Sequence, residues 1–190
     1  MSNDVTRVLA ELRRDHKNMN LCLDVLEHEA NRMYDNEVPD FEIIRDAMNY
    51  MTVYPDAVHH PKEDRLYAQL KTVRPDLSRG FDRIADDHCR IAEDGLELRS
   101  DLESITSGSF VRRRKVVADA LRYVNNLRSH MQWEELDLFK RCETMALEGW
   151  DFYVEDIFID RVDPVFGRQT EARFNRLVNG IQATRAAVHI

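Results

Sequence analysis

Glycine and proline are scarce in this chain, at 6 and 5 of 190 residues. Tight turns are therefore few, which disfavours a fold of many short strands and favours long helices. Cysteine is scarcer still. Cys22, Cys89 and Cys142 are odd in number, widely and irregularly spaced, and form no C-x-x-C pair. That pattern argues against a disulfide framework and fits a reducing compartment. No run of about 18 apolar residues is present to span a membrane, and no N-terminal apolar stretch resembles a signal peptide. The expectation is a cytoplasmic protein without a membrane partner. Positive charge is not in excess either: the net charge is −8, which argues against nucleic acid or an anionic membrane as the main partner. The one basic run, Arg112-Arg113-Arg114-Lys115, follows a Ser/Gly turn and is read as the solvated first turn of a helix. Nothing resembles a Gly-rich nucleotide loop, a serine nucleophile elbow or a thiol site.

What is present is 43% hydrophobic and 33% charged, enough for the core of one domain with a short extension. The apolar residues recur at helical spacing. A first helix carries Val5, Leu9, Leu12, His16, Met19, Leu23, Leu26, Ala30 and Met33, with Ser2 to Asp4 as its capping region and a turn at 35–39. A second opens at Asp40 and follows Phe41, Ile44, Met48, Met51, His59, Glu63, Leu66 and Leu70; Pro55 and Pro61 interrupt it and predict a kink. After a turn at 73–76, a third reads Leu77, Phe81, Ile84, His88, Ile91, Gly95, Leu98 and Leu102 in alternating steps of four and three. A turn at 106–109 precedes a fourth, with Val116, Ala120, Tyr123, Leu127, His130, Glu134 and Leu138. The prediction is an all-α, up-down-up-down four-helix bundle over residues 1–147. A C-terminal helical extension over 148–190, with a loop at 163–167 and a last helix through Phe174, Leu177 and Ile181, would pack on the bundle or, in a homodimer, on a partner subunit.

Six ionisable residues fall on the apolar seams: His16, His59, Glu63, His88, His130 and Glu134. Such groups are rarely buried unless paired or bound to metal. Their depths agree. His16 lies 22 residues before position 38 and His59 lies 21 after; His88 lies 20 before position 108 and His130 lies 22 after. In antiparallel neighbours such matching puts all six in one layer, since one residue rises about 1.5 Å. His59 and Glu63, like His130 and Glu134, are four apart and share a helix face, one turn apart. A carboxylate one turn from an imidazole can bridge to a second metal ion. The donors are nitrogen and oxygen without sulfur, which suits iron or manganese better than structural zinc.

The order His…His-x-x-x-Glu…His…His-x-x-x-Glu resembles the hemerythrin-like (HHE cation-binding) family. The residues that carry the likeness are Asp15-His16, His59-His60-Pro61-Lys62-Glu63-Asp64, Asp87-His88 and His130-Met131-Gln132-Trp133-Glu134-Glu135. The resemblance spans about residues 5–145. It implies two non-haem iron ions, bridged by carboxylates and an oxo or hydroxo group, with His16, His59, Glu63, His88, His130 and Glu134 as metal ligands. Oxygen-transporting members carry a second histidine one turn from the third-helix ligand. Here those positions are Ile84 and Ala92, which turns the expectation from O2 transport toward binding or sensing of O2, NO or redox state.

The alternative is a di-iron oxidoreductase acting on peroxide or reactive nitrogen species; iron storage or a purely structural metal bundle ranks third. His60 stays open as the partner of Glu63 in place of His59, as an extra ligand, or as a residue at the pocket mouth. Glu135 is expected to be solvated and His28 and His189 to lie on the surface. Met19, Met48 and Met51 are read as core filling, Tyr54, Tyr123 and Trp133 as packing, and Cys89 as pointing off the seam.

Overall fold

The computed structural model describes residues 3–150, 152–159 and 161–188. The expected cap at Ser2 and the expected surface position of His189 lie outside them. Helix α1 (Asn3–Tyr34) buries the predicted stripe, with Leu9, Leu12, Met19, Leu23 and Ala30 fully enclosed. It stops where Asn36 adopts a left-handed φ of 66°, a conformation that asparagine tolerates better than most residues. Helix α2 (Phe41–Met51) starts at Asp40, whose carboxylate accepts the backbone N–H groups of Glu42 and Ile43 at 3.1 and 3.2 Å.

The two prolines act as expected, with a particular geometry. After Met51 the chain loosens into a wide π-helical turn at Pro55–His59, in which the His60 N–H reaches back five residues to the Pro55 carbonyl. Helix α3 (His60–Val73) then begins, and Pro61 sits in its first turn, where a missing donor costs little. A second wide turn, Glu134–Leu138, follows α5 (Arg113–Trp133) and leads into α6 (Phe139–Leu147); the Phe139 N–H closes it on the Glu134 carbonyl.

The third helix departs from expectation. Helix α4 spans Ile84–Thr106, so Leu77 and Phe81 precede it. Residues 77–83 form turns, with Gly80 at a φ of +96°, a left-handed conformation incompatible with a continuing helix. Phe81 is nevertheless fully buried and Leu77 packs beside it, so the spacing reported burial rather than helix. Arg141 pins this connection from α6. Its guanidinium lies 4.5 Å from the Phe81 ring centre and donates to the carbonyls of Leu77 and Arg79 at 2.7 and 3.0 Å.

The basic run is solvated at the start of α5, and Lys115 there bridges Glu97, Asp101 and Asp119 at 2.6–2.9 Å. Beyond α6 come irregular turns and α7 (Asn175–Val188), which packs against α1 and α2 through Leu177 and Ile181. Tyr50 of α2 donates its hydroxyl to Asp163 at 3.0 Å, and the same carboxylate accepts the N–H groups of Val165 and Phe166, both at 2.8 Å. The Asp163–Gly167 loop is thereby fastened to α2. His28 and Cys89 are exposed, while Met19, Met48 and Met51 lie in the core.

The described residues form no strand, and the fold is a helical bundle. Among them no helix is long and apolar enough to cross a membrane. The buried apolar side chains divide into two clusters. One contains Met19, Val58, Ile91, Leu127 and Met131; the other contains Leu12, Leu66, Ile84 and Leu138. Along the chain each polar seam residue lies between a member of one cluster and a member of the other.

Helices α2, α4 and α5 converge at Gly95, where a Cβ would meet Tyr123 Cε2 at 3.1 Å and Thr52 Cγ2 at 3.2 Å. Gly95→Leu is expected to lower stability by roughly 1–3 kcal/mol through overpacking, read as a lower urea midpoint. An unchanged midpoint would show that the helices can part at no cost.

Candidate metal centre

All six predicted residues come together in one layer between the apolar clusters. His16, His59 and Glu63 form one group and His88, His130 and Glu134 another, each with ligand atoms within 4.8 Å of one another. The glutamates are shared. Glu63 Oε1 faces His16 Nε2 at 3.4 Å and His59 Nε2 at 3.3 Å, while its Oε2 faces His88 Nε2 at 3.6 Å. Glu134 mirrors this: Oε2 faces His16 Nε2 at 3.5 Å, and Oε1 faces His88 Nε2 at 3.5 Å and His130 Nε2 at 3.2 Å. Both carboxylates are wholly buried. None of these Nε2 or carboxylate oxygen atoms has a hydrogen-bond partner. Buried polar atoms without partners are strongly disfavoured, and eight of them converging within one layer is the pattern of a cation-binding site. Such an arrangement can hold metal.

The other imidazole edge is held by acidic residues that seam spacing alone does not assign. His16 Nδ1 donates to Glu135 Oε1 at 2.9 Å, and His88 Nδ1 donates to Asp64 Oδ1 at 3.0 Å. Each helper directly follows a seam glutamate, Glu134 or Glu63, and reaches across to a different helix. Glu135 is therefore only half solvated and has a fixed partner, contrary to expectation. Buried Asp15 lies 3.6 Å from His59 Nδ1 and accepts the Tyr54 hydroxyl at 3.4 Å. Tyr54 thus has a polar role besides packing. A signal existed in the sequence, since an acidic residue adjoins His16, Glu63 and Glu134. Trp133 lies beside His130, with ring centres 6.1 Å apart. On the His16 side Phe139 stacks at 5.5 Å and excludes water.

Burial pushes both glutamates toward the neutral form and each repels the other's charge. The imidazoles outweigh this, holding Glu63 at about 2 and Glu134 well below the ordinary carboxylate range. In return, although burial opposes it, Glu134, Glu135 and Glu63 raise His16, Glu63 and Asp15 raise His59, and Asp64 and Glu134 raise His88 to about 10. Without a cation, His16 and His88 would therefore hold protons at neutral pH to balance the carboxylates.

A layer of imidazoles and carboxylates in a helical bundle defines a class of cation-binding helical proteins. The family model for the hemerythrin HHE cation binding domain matches residues 7–147. The chain belongs to that family. No curated protein and no solved structure matches it.

Two measurements follow from this geometry. A cation must displace imidazole protons, so its affinity should rise about tenfold per pH unit for each proton released; titration between pH 6 and 8 reads this, and a pH-independent affinity contradicts it. Glu135→Gln should weaken cation affinity by about 10–100-fold, the usual cost of losing a carboxylate behind a ligating histidine, while leaving the helical circular dichroism unchanged.

Proposed function

We propose that residues 1–147 form an up-down-up-down bundle holding a non-haem pair of iron ions, with 148–190 as an extension. In this reading His16, His59 and Glu63 serve one ion, and His88, His130 and Glu134 the other. One observation carries it: each glutamate turns one oxygen to each histidine pair, which is the disposition of two bridging carboxylates. Donor atoms 3.2–3.6 Å apart are close to the spacing of neighbouring donors on an ion with bonds of about 2.1 Å. The donor set, nitrogen and oxygen without thiolate, favours iron over structural zinc.

When bound, an iron pair supplies reversible binding of small molecules and one-electron chemistry. The chain's own contribution is to bury the carboxylates, to fix the imidazoles through Asp64 and Glu135, and to exclude water with Phe139. Six donors for two ions leave positions free for an oxo or hydroxo bridge and a small ligand. Ile84 and Ala92 supply no further donor one turn from His88, which favours an exchangeable ligand position. We therefore read the protein as a cytoplasmic binding or sensing protein for O2, NO or redox state.

The test is metal content per chain after aerobic purification from iron-supplemented cells, together with the visible spectrum. About two irons per chain and a charge-transfer band that responds reversibly to O2 or NO are expected. A single zinc, or no metal, contradicts the reading; steady O2 release from peroxide would make the protein an oxidoreductase instead.

A further inference from the structure

His60 follows His59 directly and, like it, is buried, at 4% exposed. In a regular helix consecutive side chains diverge by about 100°; the wide turn at Pro55–His59 lets both point inward. Within that turn Asp56 lies 3.2 Å from His60 Nδ1. A carboxylate at this distance accepts a hydrogen bond, so the ring proton of the neutral imidazole resides on Nδ1 and the Nε2 lone pair is left as an acceptor. That Nε2 is buried and has no partner.

The ring is not placed as a fifth chelating histidine. His16, His59, His88 and His130 each bring Nε2 within 3.2–3.6 Å of a seam glutamate, whereas the carboxylate that His60 faces is Asp56. It lies over the layer instead. Its ring is parallel to His88 with centres 4.3 Å apart, and it approaches His59 and His130 edge-on at 5.6 and 6.4 Å. An approach from outside leads to His130, the ring that His60 meets edge-on. A cleft of about 420 Å³ between α4 and α5, lined by Arg83, Asp87, Ile91, Ser129, His130 and Trp133, reaches His130. The His16 side, by contrast, is closed by Phe139.

We infer that His60 is a specificity-determining residue of this site: its Nε2 accepts a hydrogen bond from a small protic molecule seated there, and so favours hydrogen peroxide over ligands that carry no proton. The inference rests on the iron pair of the reading above and, between its ligands, sides with peroxide, the substrate of the oxidoreductase alternative, over O2 and NO. A leucine or phenylalanine would fill the same volume without leaving a buried acceptor unpaired. O2, NO and the azide anion have no hydrogen to donate; hydrogen peroxide has two.

The experiment compares iron-loaded wild type with His60→Leu and His60→Gln, the second retaining a polar side chain. Iron per chain is counted first. Azide affinity and the second-order rate of the first spectral change with hydrogen peroxide are then measured on each. Iron content is expected to be equal in all three proteins, and azide affinity to stay within about twofold. The peroxide rate should fall about tenfold in His60→Leu, the worth of one hydrogen bond, and recover in part in His60→Gln. Equal losses for azide and peroxide, or an unchanged peroxide rate, overturn the inference. So does a fall in iron content in His60→Leu, which would make His60 a ligand. A wild type without paired iron overturns the iron-pair reading itself, a failure distinct from the others because it appears before any variant is compared.

Discussion

Glu63 and Glu134 lie side by side in the middle of the bundle without access to water, and two buried negative charges at that separation repel strongly unless positive charge is interposed. The surrounding residues answer this constraint. Four imidazoles converge on the carboxylate oxygens, and each is either protonated or available to a cation. The apolar side chains cannot fill the layer, so the core divides around it: Leu12, Leu66, Ile84 and Leu138 close one side, and Met19, Val58, Ile91 and Leu127 the other. A protein built this way gives up apolar packing at mid-bundle, and a bound cation offsets the stability forgone there.

The outer carboxylates extend the same logic to the surface. Asp64 and Glu135 are about two-fifths exposed, yet each fixes a buried imidazole on another helix. The link ties α3 to α4 and the wide turn after α5 to α1. Rotation of any one helix would therefore disturb a histidine on its neighbour, and the geometry of the layer is a property of the bundle and not of any single helix.

Much of this was legible in the sequence because depth and periodicity follow from counting. The six seam residues, the helix ends at Asp40 and near Tyr34, and the disturbance at the two prolines all came from spacing. Other features did not. Leu77 and Phe81 kept helical spacing while the chain around Gly80 was turning, because a buried side chain looks the same to a pattern whether a helix or a pinned loop delivers it. Glu135 was expected to be solvated; the wide turn that begins at Glu134 carries its carboxylate to His16 instead. The ambiguity between His59 and His60 has the same origin, since only the backbone path through Pro55–His59 decides which ring reaches Glu63.

Both wide turns therefore matter beyond local geometry. Each accommodates one more residue than an α-helix of the same length would hold, in effect a single-residue insertion concealed inside a helix. Removing one residue from 55–59 or 134–138 would restore a smoother helix and leave the apolar packing on one side intact. It would leave the flanking helices nearly in register and change instead which side chains of the turn face inward. Chain length in these two stretches is thus under chemical as well as structural constraint: a shortening that the fold could absorb would redirect the inward-facing side chains at the turn, His59 and His60 in one and Glu134 and Glu135 in the other.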